Sequence, residues 1–325
     1  MGVFDQYGIS VYRTVRGRGA FICETSDGMK LLRETAYSKE KYAKEDFVTD
    51  ALYHAGYEAV DIFCKTLTGE LFAEDEEKKK YYLKNWFEAC ECDVKSYHDV
   101  MDAVAGIAKV HLYLNKLQVR REELSFKIPV AENLKDRFGR KYKEMRSINN
   151  YLRKKKKKTD FERKAWENMQ YFLREADGAM ELLEQFDYSG LFQNAVDRCA
   201  LVHGSCNHHN ILTGKNYVAV VNFERAHINL QITDLYDFMR KVLEKYQWDI
   251  KLAYRMIDEY NRFKTIGGEE LKLLAVLFGY PEKYFKIMNH YYTSSKAWIP
   301  DKDIEKLNVV VKQNEARLRF VESLK

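Results

Sequence analysis

At 325 residues, with 46% in the hydrophobic set and 32% charged, the chain is long enough for two cores at about 150 residues per domain. Three prolines and sixteen glycines exclude a collagen-like or low-complexity chain, and the 14% aromatic content excludes intrinsic disorder. The formal net charge of +5 is modest and much of it is local, in Arg153 followed by Lys154, Lys155, Lys156, Lys157 and Lys158. Such a run draws phosphate polymers or acidic surfaces through its field, or is simply a solvated helix face or loop. No aromatic stacking pattern or nucleic-acid motif accompanies it, which argues against a nucleic-acid partner.

The N-terminal stretch carries Asp5, Arg13, Arg16 and Arg18 and lacks the apolar core of a secretory leader. The longest apolar stretches, at residues 100–114 and 271–278, fall short of the ~18 residues of a membrane span. Gln6 stands where a myristoylation signal needs Ser or Thr. The expectation is a cytoplasmic protein without membrane contact. Six cysteines without a CxxC pair suit a reducing compartment, and Cys90-Glu91-Cys92 has the wrong spacing for a zinc knuckle.

The first ninety residues read as about five strands with one helix. Residues 8–16 alternate, 20–24 form a short apolar run, Asp27-Gly28 supplies a hairpin tip, and 29–33 return. Ser38 is placed to cap a helix carrying Tyr42, Phe47, Ala51 and Leu52, which Gly56 stops. Residues 60–67, 71–73 and 81–90 read as further strands. From Val94 the apolar period becomes helical: Tyr97, Met101, Val104, Ile107, Ala108 and His111 predict one long helix, and residues 132–186 two antiparallel ones. A polar loop and a short strand at 218–221 interrupt this pattern, and the rest is helical to the end. The composite is α+β: a β-rich lobe over 1–93 and a helical lobe over 94–325, with a helical insertion near 115–190 and the polar loop within 201–224.

That loop, Leu201-Val202-His203-Gly204-Ser205-Cys206-Asn207-His208-His209-Asn210-Ile211-Leu212, followed by Val220-Val221-Asn222-Phe223-Glu224, is the most informative stretch. It resembles the catalytic loop and metal-binding segment of aminoglycoside phosphotransferase-like kinases, where His-Gly-Asp-x-x-x-x-Asn precedes an Asp-x-Glu or Asp-x-Asp strand end. Residues 234–241, Tyr260, 279–285, Tyr291-Tyr292 and Ser295-Lys296-Ala297-Trp298-Ile299-Pro300 look like the C-terminal half of CotS-type spore coat proteins, a group within that superfamily. Thr25, Gly28, Leu32 and Arg33 fit the group's front hairpin and third strand. The resemblance covers essentially the whole chain. It implies a bilobal protein-kinase-like fold, other spore coat proteins as partners, and synthesis in the mother cell before the spore coat.

The departures bear on activity. In the kinases the acidic residue after His-Gly orients and helps deprotonate the acceptor, the loop Asn and a second Asp hold Mg²⁺, and a third-strand Lys steadies the phosphates. Here those places hold Ser205, Asn210, Asn222 and Arg33, so only Asn210 matches. A placed base is worth about 10²- to 10⁴-fold, and a serine hydroxyl accepts no proton near neutral pH. Asn222 offers Mg²⁺ a neutral carbonyl. Glu224 keeps a carboxylate two residues on that could take a cation in a shifted geometry. His203 reads as a loop organiser, Glu88 and Cys90 fall at the hinge where an adenine would bind, and Arg33 could pair with Glu45 or Asp50.

Two other chemistries fit poorly. Cys206, His208 and His209 crowd one tight loop and would need a further zinc ligand from elsewhere. Ser205 lacks the Gly-x-Ser-x-Gly turn of a covalent nucleophile. The leading expectation is a spore coat protein with a degenerate kinase-like site, requiring no cofactor. The alternatives are an active ATP- and Mg²⁺-dependent small-molecule phosphotransferase using Asn210 and Glu224, or a polyanion-binding module acting through the lysine run.

Overall fold

The computed structural model describes residues 2–17, 19–117, 119–293 and 302–325. Arg18 and the Ser295 to Pro300 stretch of the resemblance lie outside the described residues. In chain order the strands and helices are β1 (Val11–Gly17), β2 (Ala20–Thr25), β3 (Gly28–Thr35), α1 (Lys39–His54), β4 (Phe63–Cys64), β5 (Phe72–Glu74), β6 (Lys80–Asn85), β7 (Cys90–Glu91) and α2 (Tyr97–Leu114). There follow α3 (Leu134–Lys154), α4 (Asp160–Leu183), α5 (Tyr188–Asp197), β8 (Leu201–Val202), β9 (Ile211–Thr213), β10 (Val218–Val220) and β11 (His227–Ile228). The chain closes with α6 (Ile232–Lys245), α7 (Ile250–Asn261), α8 (Gly268–Gly279), α9 (Glu282–Thr293) and α10 (Lys302–Ser323). Two compact units divide it: Met1–Val130 with Ala195–Phe238 and Met256–Thr265, and Ala131–Asn194 with Met239–Arg255 and Ile266–Lys325.

The first unit is built on an antiparallel sheet in the order β1-β2-β3-β6-β4, with β5 also on β6. The β2–β3 hairpin turns through Ser26-Asp27, where the Thr25 hydroxyl donates to the Gly28 carbonyl at 2.7 Å and accepts from the Asp27 N–H. Gly28 takes φ +77°, a conformation that a side chain disfavours, which is why Asp-Gly marks this tip. The sheet buries two faces: Tyr42 of α1 packs with Leu31, Phe63, Leu71 and Tyr82 on one, and Tyr7 with Cys23, Leu32, Ala73 and Leu83 on the other.

Two predicted strands are cut short. Of residues 60–67 only Phe63–Cys64 joins the sheet, because Val60 instead makes a parallel bridge to Val220 and Ile62 N–H turns back onto the Val60 carbonyl. Residues 81–90 do not form one strand: β6 stops at Asn85, and β7 leaves this sheet to pair with β9. Ser38 holds the N-cap place of α1, yet its side chain makes no cap bond and turns to Glu40 instead.

Helix α2 is largely apolar and buries ten residues between Val100 and Leu114, with Lys109 and Leu112 left exposed. At Gly106 a Cβ would stand 2.7 Å from Val218 Cγ1, so only glycine lets α2 lie this close to β10. The core beside it joins Val48 and Leu52 of α1, Val110 and Leu114 of α2, and Leu201, Val220, Phe223 and Ile228 from the loop region.

The second unit is helical among its described residues. Met145 and Leu152 of α3, Phe161, Met169 and Phe172 of α4, Tyr284 and Met288 of α9, and Leu307 of α10 form its core. The lysine run is the turn between α3 and α4. Lys155 Nζ donates to Glu162 at 2.6 Å, Lys158 Nζ to the Lys155 carbonyl at 2.7 Å, and Thr159 with Glu162 forms a capping box. Part of that charge is therefore spent locally on closing the turn.

Lys141 and Glu282 join α3 to α9 at 2.7 Å, both nearly buried. Burial pushes the Glu282 carboxyl up, but the Lys141 and Lys286 ammoniums outweigh it and hold it at about 2, against 4.5 ordinarily. Burial meanwhile pulls Lys141 below its ordinary value of 10.5, so its partners oppose each other, and the close contact keeps the pair ionised at neutral pH. A depressed carboxyl contributes stability above its unfolded value and loses it as pH falls. Urea unfolding followed from pH 6 down to 2 should thus show stability decline below about 4.5, and Glu282→Gln should flatten that decline while lowering the neutral plateau.

Candidate functional site

The polar loop, α1, the hinge and β6 all belong to the first unit, so its internal geometry is described directly. The loop hangs from one buried carboxylate. Asp234, in the first turn of α6 and 1% exposed, accepts the His203 N–H at 2.6 Å and the Gly204 N–H at 2.9 Å. It also takes Nε2–H of His111 at 3.1 Å, whose Nδ1 faces the Tyr260 hydroxyl at 2.7 Å. Burial pushes the Asp234 carboxyl up, but the hydrogen bond and charge of His111 and the His203 contacts outweigh it and hold it below 3.8. Burial likewise pulls His111 below 6.5 against the pull of Asp234. Asp234 thus stays ionised and fed by three N–H donors, with His111 donating through Nε2.

His203 is fully buried and closes the loop on itself: Nδ1 accepts the Ser205 N–H at 3.1 Å and Nε2 donates to the Val221 carbonyl at 2.9 Å. Both ring nitrogens are committed to backbone. Gly204 takes φ +74°, and a Cβ there would overlap the Arg225 carbonyl and the His227 ring. Glycine is therefore required at this turn.

Beyond it stand the neutral residues. The Asn210 amide donates to the Ser205 carbonyl at 3.0 Å, and its Oδ1 accepts Asn222 Nδ2–H at 3.1 Å. Asn207 donates to the same Ser205 carbonyl at 2.8 Å. Asn222 sits in the left-handed region at φ +74°, which Asn tolerates better than most side chains, and its N–H donates to Asp61 Oδ1 at 3.0 Å. Glu224 follows in a 3-10 turn and is largely exposed, with Oε1 3.8 Å from Lys41 Nζ of α1. Lys44, one turn on, is partly buried, and burial lowers its pKa against the pull of Glu45 and Glu224.

Sequence reasoning passed over Lys84. Alternation along β6 turns Tyr82 and Lys84 toward α1, and Lys84 Nζ reaches Glu45 Oε1 at 2.7 Å and Asp61 Oδ2 at 3.0 Å. All three groups are 2–5% exposed in their side chains. Burial pulls Lys84 down, but Asp61 and Glu45 hold it well above its ordinary value, while burial pushes Asp61 up beyond what Lys84 restores. Of the two carboxylates proposed from sequence as partners of Arg33, Glu45 thus holds Lys84, and Asp50 lies exposed beside His54. Arg33 itself faces Tyr82 across the β3–β6 ladder. The available signal was a lysine within the apolar run Tyr81-Tyr82-Leu83-Lys84, at an inward-facing register.

At the hinge, the Glu88 carbonyl accepts the Tyr217 hydroxyl at 3.1 Å, and Cys90 is exposed at the start of β7, opposite Thr213 of β9. Cys206 is buried, and His209 Nδ1 meets the Glu91 carboxylate. Among the described residues no group of three or more His, Cys, Asp or Glu side chains could hold a metal ion, and the zinc reading of this loop finds no support there.

The seat does not fit Mg²⁺ either. The Asn210 oxygen is capped by an N–H donor, which turns partial positive charge toward the place a cation would need. Asn222 and Ser205 bring no negative charge, Asp61 is committed to the Asn222 N–H and Lys84, and Glu224 lies in the field of Lys41 and Lys44.

Two substitutions probe this frame. Lys84→Ala leaves two buried carboxylates facing each other and should cost about 3–5 kcal/mol in urea unfolding, whereas Lys84→Met with Glu45→Gln and Asp61→Asn should recover much of it. Asp234→Asn should cost about 2–4 kcal/mol at pH 7. Because a depressed carboxyl stabilises only above its unfolded value, that cost should shrink below about pH 4, as read from denaturant titrations across pH.

The chain can now be set beside known proteins. The family described as "spore coat putative kinase YutH" matches residues 2–324. An aminoglycoside phosphotransferase structure from Alicyclobacillus acidocaldarius is similar at TM-score 0.86 and 16% identity, over 99% of this chain and 94% of that one. A spectinomycin phosphotransferase in complex with ADP and spectinomycin is similar at TM-score 0.62 and 11% identity, over 96% and 94%. An amicoumacin kinase in complex with AMP-PNP and Ca²⁺ is similar at TM-score 0.57 and 11% identity, over 94% and 88%. At such identities the likeness establishes the protein-kinase-like fold alone. A search of curated proteins finds no match. With its match running over almost every residue and its fold that of the phosphotransferases, the chain belongs to the spore coat kinase-like family YutH.

Proposed function

We propose that this protein is a non-catalytic, kinase-fold component of the bacterial spore coat, made in the mother cell and acting there by binding other coat proteins. Family membership supports the place. The mutual hydrogen bond of Asn210 and Asn222 supports the loss of phosphotransfer, since it fills with neutral amides the seat that Mg²⁺ needs.

In this reading His203 organises the loop and Ser205 occupies the base position without a base's chemistry. Arg33 supplies a fixed positive charge on β3, and Glu88 with Cys90 marks the hinge against which an adenine would lie. Neither the amides nor Glu224, 3.8 Å from Lys41, offers the paired negative oxygens that would neutralise a transferring phosphoryl group. A missing base alone removes about 3–5 kcal/mol of barrier lowering.

Thermal unfolding with ATP, alone and with Mg²⁺ or Mn²⁺, checks this on the natural protein and on the Ser205→Asp/Asn222→Asp double variant. The natural protein should gain little from metal, and the double variant more. A gain of several degrees in the natural protein, seen only with metal and nucleotide together, would show an occupied catalytic seat and end the proposal.

A further inference from the structure

The large sheet of the first unit ends on one side at β1, which among the described residues pairs only with β2. Five consecutive residues of this strand, Tyr12 to Arg16, are exposed, with Tyr12 at 69% and Val15 at 50%. Natural edge strands are usually short, or blunted by Pro, lysine or a bulge, because an open row of N–H and C=O groups templates pairing with another chain. A bulge does lie between Val11 and Arg13, but from Arg13 to Gly17 the ladder is regular and the edge open. The only charges on β1 are Arg13 and Arg16, and among the described residues neither has an ion-pair partner.

The two arginines are three residues apart, so the pleat sends them to opposite faces: Arg13 with Val15 and, across the ladder, Glu24 and Ile22; Arg16 with Thr14, Cys23 and Phe21. We infer that the β1 edge is a docking site for an acidic, extended segment of another protein, added as a further strand, with carboxylates three residues apart to meet Arg13 and Arg16 on the two faces. Backbone pairing supplies affinity, and the carboxylate spacing supplies register and selectivity. A second copy of β1 is disfavoured as the occupant, because it would set four guanidiniums along one seam against only the two Glu24 carboxylates that already face Arg13 across the ladder. The inference stands apart from the state of the polar loop, since its test reads binding alone.

Fluorescence polarisation at low salt, with labelled eight-residue Thr/Val peptides and the intact protein, examines it. A peptide with glutamates three residues apart should bind about three- to fivefold more tightly than one with glutamates two apart, which can satisfy only one arginine. Methylating alternate backbone nitrogens of the first peptide should abolish binding. Arg13→Glu/Arg16→Glu should reverse the preference toward the matching lysine peptide, with an unchanged unfolding midpoint to show that the fold survives. Equal affinity for both spacings, or binding indifferent to N-methylation, would reduce the effect to diffuse charge attraction and overturn the inference. Concentration-dependent dimers in sedimentation that disperse in the double variant would assign the edge to a second copy and overturn it equally.

Discussion

One ammonium, buried where water cannot reach it, ties together the elements around the polar loop. Lys84 on β6 is held by Glu45 from α1 and by Asp61 from the segment leading into β4, and Asp61 in turn accepts the backbone N–H of Asn222. Any one of these charges alone in the interior would cost several kcal/mol of lost hydration. Together they tolerate burial only in one arrangement, so sheet, helix and the left-handed turn at Asn222 are fixed in a common geometry.

Asp234 performs the corresponding task on the other flank of the loop. Its carboxylate takes the His203 and Gly204 N–H groups, and His203 spends both ring nitrogens on the backbone of Ser205 and Val221. The scaffold that a kinase-like loop requires is therefore intact and fully satisfied. What differs lies at the loop's chemical end, where Ser205, Asn210 and Asn222 bond to one another. The frame thus holds neutral amides, Asn210 and Asn222, bonded to each other at that end. Fold and chemistry have separable physical requirements, and the frame by itself secures only the first.

Much of the frame was legible locally. The helical period of α2, the Asp-Gly tip of the β2–β3 hairpin and the Gly56 stop after α1 each rest on neighbours within a few residues. The loop residues were legible because their order alone carries the resemblance. Residues 60–67 and 81–90 misled because alternation and apolarity suit a strand, while the pairing partner that makes one is supplied from far along the chain: Val220 for Val60, and β9 for Cys90–Glu91.

The amino-acid order by itself determined the α+β class and the family likeness, and it puts Ser205 and Asn222 where the resemblance expects a base and a metal-binding aspartate. It also left Arg33 as the evident heir to a third-strand lysine. Only the tertiary structure decided that Glu45 turns to Lys84, that Asp234, backed by His111 and Tyr260, anchors the loop, and that Asn210 and Asn222 satisfy each other. Those contacts join residues twelve to 149 positions apart. A buried polar group chooses its partner by what surrounds it once water is gone, and no local pattern encodes that.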